Sequence, residues 1–133
     1  MTPAGREFYL AKAQESLAGA ESEFANGRYN NCANRSYYAC FQAAIAALVQ
    51  AGIQPRSPGG QWGHDFVQAE FIGQLINRQK RYPTSIRDVL QRTATLRQIA
   101  DYQPQQVTET QASRTLRRAR QLVETIAGGE PYE

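Results

Sequence analysis

Residues 29 to 51 read Tyr-Asn-Asn-Cys-Ala-Asn-Arg-Ser-Tyr-Tyr-Ala-Cys-Phe-Gln-Ala-Ala-Ile-Ala-Ala-Leu-Val-Gln-Ala, a long Ala-rich run without Pro or Gly. A helix this apolar has to be buried nearly all round, so the rest of the chain must be packed about it. Ala39, Ala43 and Ala47 recur every fourth residue and allow neighbouring helices to approach closely. Arg35 sits within the same stretch. Burying an Arg is costly unless it is paired, so Arg35 either meets a carboxylate or faces a polar cleft. Arg97, in Leu96-Arg97-Gln98-Ile99-Ala100-Asp101-Tyr102, poses the same choice.

Four further segments have helical spacing. Thr2-Pro3 is a start signal, because Pro is tolerated at the first helical position. Phe8, Ala13, Leu17, Ala20 and Phe24 then recur until Asn26-Gly27 closes the first helix. Asn30 or Asn31 is the expected cap of the second helix, which runs to Gly52. A Pro/Gly-rich connector, Ile53 to Gly63, is expected to be the most mobile segment. A third helix is predicted from about Asp65 to Arg78, with Phe66, Val67, Phe71, Leu75 and Ile76 inward.

Pro83-Thr84 is read as the opening of the fourth helix, whose buried stripe is Ile86, Val89, Leu90, Thr93, Leu96 and Ala100. The fifth begins at the capping box Thr108-Glu109-Thr110-Gln111, continues through Leu116, Ala119, Leu122, Val123 and Ile126, and stops at Gly128-Gly129. No segment alternates as a strand does. The expectation is a single all-α domain over residues 1–133, an antiparallel bundle of about five helices with helices one and two as neighbours.

Composition narrows the function classes. With 133 residues, 41% hydrophobic and 20% charged, the chain can bury a core as an ordinary globular domain. Its apolar runs stop short of the roughly 20 residues of a membrane span. The N-terminus lacks the order of a secretory signal, so a cytoplasmic protein with no membrane partner is expected. Cys32 and Cys40, eight residues apart on one helix, lie about 12 Å apart along its axis and should be reduced core residues. One His and no Cys-x-x-Cys argue against a metal site, and nothing indicates a cofactor. The net charge is +3, with Lys only at Lys12 and Lys80. Arg suits bidentate contacts to phosphate or carboxylate better than Lys does.

Helical spacing places Arg97 and Asp101 one turn apart, and Asn34, Arg35 and Tyr38 on one side of the second helix. If these faces meet, the result is either a buried ion pair fixing helix register or a guanidinium cleft that holds phosphate. Tyr102 can bond into the same network. His64, just before the third helix, reads either as a helix-start residue or as an acid–base group. Arg114, Arg117, Arg118 and Gln121 form a basic stripe on the last helix, and Arg78, Lys80, Arg81 and Tyr82 a second short basic cluster. Each is either a solvated face or a phosphate contact.

Taken together, these segments resemble the HEPN superfamily (higher eukaryotes and prokaryotes nucleotide-binding), especially its small stand-alone prokaryotic members. The resemblance lies in Asn34-Arg35-Ser36-Tyr37-Tyr38-Ala39-Cys40-Phe41-Gln42-Ala43-Ala44, in Gly63-His64-Asp65-Phe66-Val67, and in Arg97-Gln98-Ile99-Ala100-Asp101-Tyr102. The opening Ala13 to Ala20 and Gly27-Arg28-Tyr29 fit as well. The resemblance implies a helical homodimer with equivalent cleft residues facing each other. It also implies nucleotide or RNA binding, and a minimal nucleotidyltransferase as partner in a two-gene toxin-antitoxin module. Many members are metal-independent ribonucleases that use an Arg followed, after four to six intervening residues, by a His. Here the positions at those spacings after Arg97 are Tyr102, Gln103 and Pro104, and the frequent His of the second helix is Gln42. Tyr is a poor base at neutral pH and Gln moves no proton, so phosphate binding survives this departure better than cleavage does. Small members with Asp-Tyr in place of the His form a class of their own.

The expected site is therefore Asn34, Arg35, Tyr38, Arg97, Asp101 and Tyr102, binding a nucleotide or RNA phosphate. Two alternatives stand beside it. One is a ribonuclease toxin using Arg97 with Tyr102 or with His64. The other is a structural subunit with Arg35 and Arg97 locked in ion pairs.

Overall fold

The Ala-rich run sets the architecture seen in a computed structural model, which describes residues 3–55 and 60–128. The helices are α1 (Pro3–Ala25), α2 (Tyr29–Gln50), α3 (His64–Glu70), α4 (Val89–Tyr102) and α5 (Glu109–Ala127), with no strand among the described residues. The chain continues from α3 through a wider π-helical segment, Phe71–Arg78, and a short 3-10 turn, Thr84–Ile86, precedes α4. Thr2 at the proposed helix start, the middle of the connector at 56–59, and residues 129–133 lie outside the described residues.

The α1–α2 hairpin is antiparallel, as contacts along its length show. Arg6 Nε donates to Gln50 Oε1 (2.8 Å) at one end, Ser16 meets Gln42 (2.7 Å) in the middle, and Asn31 Nδ2 donates to Glu23 Oε1 (2.8 Å) near the turn. α4 also runs antiparallel to α2, with Asn34 against Asp101 and Cys40 against Thr93. Ala39, Ala43, Ala44, Ala46, Ala47 and Leu48 of α2 are buried at the centre. Around them pack Leu10 and Ala13 of α1, Val67, Phe71, Leu75 and Ile76 from α3 and its extension, Leu90 of α4, and Leu122, Val123 and Ile126 of α5. Each fully buried aliphatic side chain of this kind contributes about 1.5–3 kcal/mol. A smaller cluster, Ala20, Cys32, Ala33, Val107, Ala112 and Leu116, ties the other end of α2 to α5. Both cysteines are free and buried.

α1 and α2 end alike. At the first, Gly27 has φ +74° and the N–H groups of Gly27 and Arg28 bond to Phe24 O and Glu23 O. At the second, Gly52 has φ +83° and Gly52 and Ile53 bond to Val49 O and Leu48 O. This is the Schellman closure, whose left-handed residue favours Gly. The capping box of α5 forms as its sequence predicts: Thr108 Oγ1 accepts from Gln111 N (3.1 Å) and Gln111 Oε1 accepts from Thr108 N (2.9 Å).

Two local expectations are corrected. Neither Asn30 nor Asn31 caps α2, which starts at Tyr29 after Arg28 with no side-chain cap. Asn30 Oδ1 instead accepts from the backbone N–H of Val107 (2.9 Å), and Asn31 is used by Glu23. Pro83-Thr84 opens only the 3-10 turn, and the α-helix itself begins at Val89.

Candidate functional site: an arginine and aromatic cluster on α2, α3 and α4

The i, i+3, i+4, i+7 positions of α2 place Asn34, Tyr37, Tyr38 and Phe41 on one face. α4 brings Arg97 and Asp101 against that face. Asn34 Nδ2 donates to Asp101 Oδ2 (3.0 Å), and Arg97 Nη1 lies 3.6 Å from the same oxygen. Asn34 Oδ1 accepts from Arg35 Nε (3.0 Å) and Nη2 (2.9 Å). The amide of Asn34 thus links Arg35 on α2 to the Arg97–Asp101 pair on α4.

Both guanidinium groups lie over tyrosine rings. Arg35 Cζ is 5.2 Å from the centroid of Tyr38, and Arg97 Cζ is 5.0 Å from Tyr37 and 5.7 Å from Tyr38. Cation–π contact of this kind strengthens as water is excluded, and the Arg97 side chain is only 13% exposed. Its Nε is buried with no hydrogen-bond partner among the described residues. Arg35 has an amide rather than a carboxylate as its hydrogen-bond partner. It borders a cleft of about 370 Å³ lined by Gly19, Ser22, Glu23, Asn31 and Asn34. Glu23 in that wall is held below the ordinary carboxylate pKa by hydrogen bonds from Asn31 and Arg28.

His64 completes the cluster from α3. Its ring stacks on Phe41 (4.4 Å between centroids, 15° between planes) and on Tyr37 (5.5 Å, 18°), and its Nδ1 is hydrogen-bonded to the Tyr37 hydroxyl. Burial pushes the Tyr37 phenol up to about 12, against a smaller opposing pull from Arg97, so it stays protonated. Burial, and next the positive charge of Arg97, push His64 below its ordinary 6.5 despite the opposing pull of Asp65. A protonated phenol beside a neutral imidazole donates to Nδ1, which leaves the ring proton on Nε2. In this arrangement His64 offers a hydrogen-bond donor rather than a base.

The expected site residues therefore divide. Asn34, Arg35, Tyr38, Arg97 and Asp101 come together. Tyr102 does not join them: it is 69% exposed at the end of α4, with no hydrogen bond, ion pair or ring contact among the described residues. His64, expected only as an alternative, belongs to the cluster. Tyr37 was not among the expected site residues, although it shares the helical face of Asn34 and Phe41. Gln42 points away, to α1. With its amide nitrogen turned inward it donates to Lys12 O (3.0 Å), Tyr38 O (3.1 Å) and Ser16 Oγ (2.7 Å). It joins two helices and takes no part in the cluster.

An all-α bundle that gathers two arginines, a histidine and two tyrosines on one flank defines a class of small helical proteins with a polar, aromatic-lined face. The chain belongs to the HEPN domain family, which matches it over residues 6–129. It is similar to "Putative toxin MJ0605" of Methanocaldococcus jannaschii, with 28% identity over 117 residues, 86% of this chain and 80% of that protein. It is also similar to "UPF0332 protein PH1297" of Pyrococcus horikoshii, with 35% identity over 69 residues, 50% of this chain and 49% of that one.

Proposed function

We propose that this protein is the toxin-like HEPN member of a two-gene module, and that its Arg35/Arg97 cluster binds a nucleotide or RNA phosphate. The observation that carries the reading is the pairing of the two arginines. Arg97 shares Asp101 with Asn34, while among the described residues Arg35 has only the Asn34 amide as its hydrogen-bond partner. Glu23 in the cleft wall is balanced by Arg28, 3.1 Å away, so Asp101 is the one carboxylate left beside the two guanidinium groups and the charge stays positive; planar guanidinium groups suit phosphate oxygens. Nε2–H of His64 adds a neutral donor on the same flank. The similarity to a protein named "Putative toxin MJ0605" supports a toxin-like role; the minimal nucleotidyltransferase partner, the cytoplasmic location and the homodimer are part of the same proposal and rest on the sequence resemblance alone.

Calorimetric titration with ATP and with a short single-stranded RNA tests the site, comparing wild type with Arg35→Gln and Arg97→Lys. Each variant should bind at least about fivefold more weakly while keeping its thermal midpoint within a few degrees. Unchanged affinity in both variants would remove the proposal.

Metal-independent RNA cleavage is the second reading, and the position of His64 favours it over any role for Tyr102. Cleavage needs the other tautomer, in which Nδ1–H donates to the Tyr37 oxygen and frees Nε2 to accept the 2'-hydroxyl proton. The tautomer inferred from the raised Tyr37 pKa is the binding one, so weak or absent cleavage is expected. RNA cut in the presence of chelator, and lost in His64→Gln, would reverse that order.

A further inference from the structure

A surface groove lies away from this cluster, between α4 and α5. It encloses about 560 Å³, and its walls include Arg92, Thr95, Arg114, Thr115 and Arg118 over a floor of Leu96 and Ile99. We propose that this groove is a second RNA site, one that holds the phosphodiester backbone of a strand whose other end reaches the Arg35/Arg97 cluster. The inference rests on the proposed function in taking RNA as the ligand and the Arg35/Arg97 cluster as the far end of the strand.

Two observations carry it. The first is unbalanced charge. Arg114 and Arg118 are one turn apart on α5, a spacing at which like charges destabilise a helix, and neither has an ion-pair or hydrogen-bond partner among the described residues. Arg120 on the same helix is spoken for, with Nη2 2.7 Å from Glu21 Oε2. Arg92 is held at the groove by Asp88 (3.3 Å). One carboxylate again serves more cations than it neutralises.

The second is Thr115. It is 2% exposed, and its Oγ1 is a buried polar atom with no hydrogen-bond partner. Such atoms are rare and call for a reason. Among the described residues the only other one is Arg97 Nε, so each of the two proposed phosphate sites holds one. Arg guanidinium groups with Thr and Gln side chains are the groups that contact nucleic-acid backbones. The groove has no aromatic side chain and no deep apolar pocket, which an anchored peptide would need. The four-residue rise from Arg114 to Arg118, about 6 Å, is also close to the step between successive phosphates of an extended strand. The groove residues of α4 and the Arg97–Asp101 pair occupy different flanks of that helix, so one strand can cross it from groove to cluster.

The test is fluorescence anisotropy with labelled oligouridines of about four and about twelve nucleotides, lengths that span a typical single-strand site. The chain carrying both Arg114→Gln and Arg118→Gln is compared with one carrying Arg78→Gln and Arg117→Gln, which has the same net charge but an intact groove. The groove variant should bind the longer RNA about tenfold more weakly, while the control changes by less than about threefold. The salt slope should fall by about 1.4 in the groove variant, from about 0.7 per phosphate contact on a single strand. ATP binding, which reports the Arg35/Arg97 cluster, should be unchanged in both, so the two proposals fail separately. Equal losses in groove variant and control would overturn the inference in favour of a diffuse positive field. So would intact RNA binding in a groove variant that no longer captures a polyglutamate peptide, which would make this a protein-binding groove. Circular-dichroism melting should show the groove variant as stable as wild type or slightly more so, because a like-charge pair has been removed.

Discussion

Tyr37 is the residue on which the cluster turns, since it stacks against His64, lies under Arg97 and bonds His64 Nδ1. That arrangement makes His64 a source of pH-dependent stability. Its folded-state pKa is lowered, so near and below 6.5 the unfolded chain binds the proton more tightly. The stability it contributes is complete above the unfolded value and is lost as pH falls through the folded one. The thermal midpoint should therefore drop between about pH 7 and about pH 5, before most carboxylates titrate, and His64→Gln should flatten the drop. An equal drop in His64→Gln would assign the effect to other groups. The two arginines should differ as well. Arg97→Ala strips a half-buried side chain from two rings and from a partly buried Asp101, and should cost about 2 kcal/mol, below the range for a fully buried pair. Arg35→Ala loses an amide contact and one ring face, and should cost less than about 1 kcal/mol. Urea denaturation measures both, and a larger loss at Arg35 would mean that the wrong arginine has been assigned the structural share.

Lys80 shows at the level of elements what the two glycines do at the ends of α1 and α2. It closes the π-helical segment with φ +53°, the same left-handed region, while Arg81 N bonds to Leu75 O (2.7 Å). A side chain there costs roughly 1–2 kcal/mol, against about 0.4–1 kcal/mol for the extra freedom that Gly gives the unfolded chain. Lys80→Gly should therefore raise stability by about 0.5–1 kcal/mol in urea, and a loss would show that the Lys80 Nζ contact with Asn77 O (3.3 Å) matters more. At the other kind of end, Thr108→Ala should cost about 1 kcal/mol by removing the cap of α5. These ends also show what could be read without coordinates. Gly27, Gly52 and the Thr108–Gln111 box are local chemistry, and they bounded three helices correctly. Asn30 could not be read locally, because its partner Val107 is 77 residues away and a tertiary bond took the place of a cap. Most of the core stripes were legible because burial imposes a period, but Phe8, which heads the expected stripe of α1, is 56% exposed, since spacing alone does not tell how far the covered face of a helix extends. The cluster was legible on α2 and α4, where spacing within one helix places Asn34, Tyr38, Arg97 and Asp101. It was not legible at His64 and Tyr102, whose places depend on how α3 docks and where α4 stops.

Among the described residues two large apolar side chains are exposed, Phe8 at 56% and Tyr102 at 69%. The other large rings near the cluster are absorbed inside one subunit: Tyr37 and Phe41 are buried, and Tyr38 and Trp62 are half-buried against the core. The dimer proposal then depends on which exposed ring a two-fold partner would cover. Phe8 already has Lys12 Nζ 5.0 Å from its centroid and Tyr9 against its edge, as a solvated helix face often does. Tyr102 has no such cover and follows Asp101 directly, so an axis passing near it would bring the Arg97 clusters of two subunits towards each other and bury the ring. A two-fold contact repeats every substitution across the axis, so one charge placed there acts twice. Sedimentation of the wild type at tens of micromolar should show twice the 14.9 kDa chain mass, Tyr102→Arg should sediment as the single chain, and Phe8→Arg should remain a dimer. Dissociation by Phe8→Arg alone would move the axis to α1 and separate the two phosphate clusters, and a wild type that sediments as a single chain would leave each cluster to act alone.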